Sequence, residues 1–68
     1  MKKYYVHTET DEDGNHEVHD EDCFRLPEPK NREYLGQFSN CKSAVKKAKN
    51  DYDNVDGCYH CSKECHTG

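Results

Sequence analysis

Gly57-Cys58-Tyr59-His60-Cys61-Ser62-Lys63-Glu64-Cys65-His66 holds three of the chain's five cysteines and two of its five histidines. Sulfur and imidazole donors are dense there, and core-forming aliphatic residues are absent. The stretch therefore predicts a chemical staple rather than a hydrophobic one. A metal ion or disulfides could provide it, and the rest of the chain must say which.

The need for a staple follows from size. A chain of 68 residues is read as one domain over residues 1–68, because so short a chain buries only about 60% of its unfolded surface. Its apolar inventory is little more than Val6, Val18, Leu26, Leu35, Ala44, Val45, Ala48 and Val55 with two phenylalanines and five tyrosines. At about 25 cal/mol per Å2 of apolar burial against about 1.5 kcal/mol of entropy per ordered residue, such a core sits near zero unless it is cross-linked. Without a cross-link the expectation is disorder.

The cysteine count is odd. An all-disulfide framework leaves one thiol over, whereas a metal site takes any four of the available donors. Met1-Lys2-Lys3-Tyr4-Tyr5 contains no apolar run able to serve as a signal peptide or membrane span, so the expected location is cytoplasmic. Reduced thiols together with Cys58-x-x-Cys61 favour a metal over disulfides.

Working outward to the N-terminus, Lys3-Tyr4-Tyr5-Val6-His7-Thr8 is rich in β-formers and predicts a strand. Asp11-Glu12-Asp13-Gly14-Asn15 reads as a hairpin loop, since glycine accepts positive φ and Asp can bond its own backbone. His16-Glu17-Val18-His19 is the return strand. Glu9, Asp11, Asp13, Gly14 and Asp20 also approach the spacing of an EF-hand calcium loop, but the flanks are strand-forming and position twelve is Asp rather than Glu. The acidic-turn reading is preferred. Pro27 and Pro29 exclude regular structure around them, and Arg32-Glu33-Tyr34-Leu35-Gly36-Gln37-Phe38 predicts a third strand in which Gly36 signals a bulge or a close backbone approach.

Ser39 or Asn40 can cap a helix whose apolar positions Cys41, Ala44, Val45, Ala48 and Tyr52 fall on one face. Lys42, Lys46, Lys47 and Lys49 lie on its outer face. The expected fold class is therefore α+β: a small antiparallel sheet, made of a hairpin and a third short strand, with one amphipathic helix and a Cys/His zinc staple.

Charge is unevenly distributed within a net −4: residues 1–22 carry −6, residues 23–50 carry +5 and residues 51–68 carry −3. An acidic chain repels phosphate backbones, so nucleic acid is a disfavoured partner. The helix lysines have no interleaved aromatic residues to stack bases, which leaves protein as the expected partner and no membrane.

Tetrahedral zinc commonly takes two donors from each of two short loops. Cys58-x-x-Cys61 is one such pair, and His19-x-x-x-Cys23, where the hairpin gives way to irregular chain, is the best second pair. Cys65 and His66 are rival ligands, because four-coordinate zinc accepts either in place of His19. Cys41 reads as a small core residue, with a Cys41–Cys65 disulfide as its alternative. His7, His16 and His60 are expected at the surface.

His19-x-x-x-Cys23-x-x-Leu26, Tyr34-Leu35-Gly36-x-Phe38-Ser39, the helix with Ala44 and Ala48, and Gly57-Cys58-x-x-Cys61 together resemble the zinc-binding N-terminal domain of the Ada DNA-repair protein and Ada-like modules attached to nucleases. The resemblance covers residues 19–61. It implies His19, Cys23, Cys58 and Cys61 as zinc ligands. In Ada a zinc-bound cysteine of the first pair accepts a methyl group from a DNA phosphotriester; here that first donor is His19, and Asp20, Glu21 and Asp22 precede Cys23 and would repel phosphate.

The functional expectation is thus a non-enzymatic zinc module, with structural Zn2+, that binds protein. Two alternatives stand beside it: a thiol-redox or alkyl-acceptor protein using Cys58 and Cys61, and a metal-free disulfide mini-domain. No nucleophile triad, paired acids or phosphate-binding glycine loop is present.

Overall fold

A computed structural model of the chain describes residues 1–67. The β-rich N-terminus forms β1 (Lys2–His7), and the return strand is β2 (His16–Asp20). Between them Asp11 accepts hydrogen bonds through Oδ1 from the backbone N–H groups of Asp13 and Asn15, both at 2.9 Å, and Gly14 adopts φ 82°. The acidic loop is thus an Asx-type turn. Asp20, the twelfth position of the calcium-like pattern, lies away from this turn at the end of β2, beside Lys2 Nζ at 3.6 Å.

The proline segment is not wholly irregular. Pro29–Asn31 make one 3-10 turn, since proline is pre-set for a helical first position, and β3 (Arg32–Phe38) follows with the bounds the sequence predicts. β3 pairs antiparallel with β1 and the register slips between Tyr4 and Tyr5, opposite Gly36 at φ 128°. This is the bulge that Gly36 signalled, at a φ that side chains rarely adopt.

Asn40 caps α1 (Cys41–Ala48), accepting at 3.1 Å from the Ser43 N–H through Oδ1. Cys41, Ala44 and Ala48 are buried, and the two alanines, with no side chain beyond Cβ, let the helix lie close on the sheet. Val6 and Val18 face each other across the hairpin and are fully buried beneath it, with Tyr4 and Leu35. Tyr52 lies beyond the helix end, where its ring packs on His16 at 4.4 Å and its hydroxyl donates to Glu33 at 2.8 Å. Among the described residues, no helix is long and apolar enough to cross a membrane.

The fold is α+β as expected, with one element the sequence did not announce. Val55–Gly57 form β4, which joins β2 in parallel and makes the sheet mixed, with strand order β3-β1-β2-β4. Three residues are too few for a recognisable alternation, so this strand exists only through its pairing with β2. A last 3-10 turn, Lys63–Cys65, returns against Gly57. A Cβ on Gly57 would lie 2.7 Å from Cys65 Cβ and 2.8 Å from the Ser62 carbonyl oxygen. Gly57→Ala is therefore expected to destabilise the protein by about 2 kcal/mol through overpacking against backbone. An unchanged midpoint in urea unfolding would show that the terminal turn does not pack here.

Candidate metal centre

The site forms where β2 ends. Alternation along β2 sends Glu17 and His19 to the face opposite Val18, and His19 is 1% exposed. Directly after the strand, Asp20 folds the chain back: its carbonyl accepts from the Cys23 N–H at 3.2 Å, and its Oδ1 accepts from the Asp22 N–H at 3.0 Å. This turn returns Cys23 Sγ to within 3.6 Å of His19 Nδ1. The His-x-x-x-Cys spacing works because one Asx turn spans it.

The second half arrives through β4. Its parallel register places Gly57 opposite Val18, and the Cys58 N–H then donates to the Val18 carbonyl at 3.0 Å, setting Cys58 beside the end of β2. The Cys58 carbonyl accepts from the Ser62 N–H at 2.8 Å, which closes a tight turn and swings Cys61 toward Cys58. The outcome is a cluster of His19, Cys23, Cys58 and Cys61 whose ligand atoms all lie within 4.8 Å of one another. Three of the four are buried and Cys61 is half-buried.

The donor spacing suits a small tetrahedral ion. Zinc–sulfur bonds of about 2.3 Å at tetrahedral angles put sulfurs about 3.8 Å apart; Cys23 and Cys58 Sγ are 3.9 Å apart, and His19 Nδ1 lies 3.6 Å from Cys23 and 3.9 Å from Cys61. His19 Nδ1 thus faces the sulfurs. Its Nε2 is fully buried with no hydrogen-bond partner, 3.6 Å from Glu17 Oε1. Cys61 Sγ accepts from the Asp20 N–H at 3.4 Å and has the Ser62 hydroxyl at 3.8 Å. Such donors stabilise a thiolate.

Burial pushes the Cys23 and Cys61 thiols up. Burial, and then the charges of His7 and Arg25, lower His19 to about 4. At pH 7.5 the imidazole is already neutral and free to ligate, whereas these two thiols still carry their protons. Metal binding is therefore expected to release at least the protons of Cys23 and Cys61, and none from His19. Affinity should accordingly fall as pH drops. Titration calorimetry with zinc in buffers of different ionisation enthalpy measures the count, and fewer than two protons per ion would contradict it.

Glu17 escaped the sequence reading, although alternation along the strand puts it beside His19. Burial, with Asp11 nearby, holds its carboxyl above the usual range, and its Oε1 lies 3.6 Å from Nε2. Glu17→Gln is expected to weaken zinc about tenfold by loosening the imidazole's orientation. Competition with a chromophoric chelator reads this directly, and an unchanged affinity would remove Glu17 from the site.

The remaining donors go elsewhere. Cys65 is disulfide-bonded to Cys41, with Cα atoms 6.3 Å apart. The alternative reading of Cys41 is the one found, and the odd cysteine count resolves into one disulfide and three thiols. His66 Nδ1 lies 3.0 Å from the Gly57 carbonyl and 3.4 Å from Asp56 Oδ2, which anchors the chain's end to β4. Asp56 also accepts from the Gly57 N–H and from the Thr67 N–H and hydroxyl. His7 and His16 meet through a ring-to-carbonyl contact of 3.0 Å, and His60 lies between the rings of Phe24 and Tyr59.

Set against protein-family models, curated proteins and solved structures, the chain matches none of them. The class that fold and site define is thus a small cysteine-rich α+β domain with a Cys/His cluster able to hold a metal ion.

Proposed function

We propose that the protein is a non-enzymatic module whose fold is fastened by one structural Zn2+ on His19, Cys23, Cys58 and Cys61, and which works in the cytoplasm by binding another protein. The observation that carries the zinc is the convergence of one imidazole and three sulfurs within 4.8 Å. Soft sulfur with imidazole in a tetrahedral arrangement is the chemistry that zinc selects. Four protein donors would fill the coordination sphere, leaving no position for a reacting water. Likeness to Ada-like modules enters the proposal as a donor arrangement alone.

Support against thiol-redox chemistry comes from the sulfurs themselves. Redox cysteines depend on a lowered pKa, and burial moves Cys61, a member of the Cys58-x-x-Cys61 pair, the other way. In a reducing cytoplasm the Cys41–Cys65 pair is open to reduction, and the metal then fastens the fold without it.

Mass spectrometry under non-denaturing conditions tests the reading on protein prepared without a histidine tag. One zinc per chain is expected. A metal-free chain that stays folded in chelator and reductant would end it.

A further inference from the structure

Between α1 and the last 3-10 turn runs a groove of about 260 Å3, lined by Lys42, Val45, Lys46, Lys49, Glu64 and Cys65. It lies outside the Cys/His cluster. Val45 and Cys65 are partly buried apolar residues packed against the core, and they give the groove a floor without charge. Lys42, Lys46 and Lys49 stand along one wall at helical spacings of four and three, and none of the ion pairs among the described residues involves them. Three ammonium groups thus stand unpaired on one side of an apolar trough, and the one carboxylate that lines it, Glu64, belongs to the last 3-10 turn.

We propose that this groove binds an extended acidic segment of a partner protein, with an apolar side chain over Val45 and Cys65 and carboxylates on Lys42, Lys46 and Lys49. The proposal rests on the protein-binding reading above and names the surface and the partner's chemistry. Seven residues of helix span about 10.5 Å, which equals about three residues of extended chain. The wall thus matches a short run of acids flanking an apolar residue. Glu64 on the opposite wall repels carboxylates and confines them to the helix side.

Nucleic acid fits the groove less well. The cations are lysines without the bidentate fork of arginine, no aromatic ring lines the trough to stack a base, and the chain as a whole is acidic. A second copy of the chain could offer its own acidic loop at Asp11, Glu12 and Asp13. That loop is bent into a tight turn by the Asp11 side chain and presents no extended apolar residue.

The test uses the zinc-loaded full chain and a capped, fluorescein-labelled peptide of sequence Glu-Glu-Leu-Leu-Glu-Glu, followed by fluorescence anisotropy at about 0.15 M ionic strength, where charges off the groove are largely screened. Saturable binding is expected, with amide shifts in nuclear magnetic resonance spectra confined to α1 and the last turn. The exposed double variant Lys42→Glu/Lys46→Glu should lose about tenfold or more in affinity, since two attractive pairs become repulsive. Lys47→Glu, which lies off the groove, should change it by less than about twofold. The peptide with Gln for Glu should not bind.

No saturable binding, equal loss in Lys47→Glu, or shifts outside the groove would overturn the proposal. So would tighter binding of oligothymidylate, which would make the surface one for nucleic acid. Self-association that Lys42→Glu/Lys46→Glu abolishes, seen by sedimentation equilibrium, would make the occupant a second copy. Cobalt substituted at the Cys/His cluster reports on the metal separately, so a failed zinc reading and a failed groove give different spectra.

Discussion

Cys58→Ala is expected to leave the chain unable to hold zinc and largely unfolded at 25 °C. The core explains the size of the effect. Among the described residues Tyr4, Val6, Val18 and Leu35 are the only large apolar side chains buried in it, joined by Cys41, Ala44 and Ala48. Cys58 is itself 1% exposed and its N–H closes onto the Val18 carbonyl, so its sulfur lies where β2, β4 and the terminal turn meet. Structural zinc contributes an apparent ~10 kcal/mol or more in small domains. That is comparable to the whole stability of a typical domain, about 5–15 kcal/mol. Loss of one of three sulfurs forfeits most of it. Circular dichroism and amide proton dispersion read the outcome, and chelation of the unmodified protein should reproduce it. A folded Cys58→Ala chain would show that the cluster is not what fastens the fold.

Removing the disulfide comes second in expected effect. Cys41→Ala/Cys65→Ser, studied with zinc bound, should lose about 3 kcal/mol. The two cysteines are 24 residues apart, and a closed loop of that length restricts the unfolded chain by about this amount in the chain-entropy account. A zinc ion held at the cluster would not make the disulfide redundant. A metal on Cys58 and Cys61 short-circuits only the few residues between them, so the loop that Cys41–Cys65 closes remains almost its full length. The two staples should therefore act nearly additively in a double-variant comparison. A urea midpoint unmoved by the double substitution, or by reductant, would contradict this.

The two expectations differ in what they do to the helix. Cys41 opens α1 and is buried, whereas Cys65 closes the last turn. Breaking their bond removes the covalent tie between that turn and the helix while the metal cluster stays intact. Loss of the proposed zinc should act from the other end, releasing β4 from β2.

Much of this architecture was legible in the sequence because its signals are local. Tyr-Tyr-Val, the Asp-Gly-Asn turn, the prolines and the spacing of Ala44, Val45 and Ala48 each act within a few residues. The hairpin, the bulge at Gly36 and the Asn40 cap follow from them. The same locality makes Cys58-x-x-Cys61 and His19-x-x-x-Cys23 recognisable as donor pairs, since one tight turn spans each spacing.

Other features had no local signal. Cys65 and His66 stand in the sequence as rivals of His19 for a place beside Cys58 and Cys61, and nothing within the stretch itself sends the first to Cys41 and the second to β4. Glu17 carries no motif and matters only because His19 lies two residues further on the same strand face.

The sequence by itself determined the α+β class, the helix, the hairpin, and the need for a cross-link in a chain too poor in aliphatic residues to do without one. Tertiary structure alone decided the partners. The parallel pairing of β4 with β2 carries Cys58 and Cys61 to His19 and Cys23, and the return of the last turn onto Gly57 carries Cys65 to Cys41 and His66 to β4. The physical reason is that residues distant in sequence meet only through strand register and side-chain packing, and β4 is a strand only while β2 lies beside it.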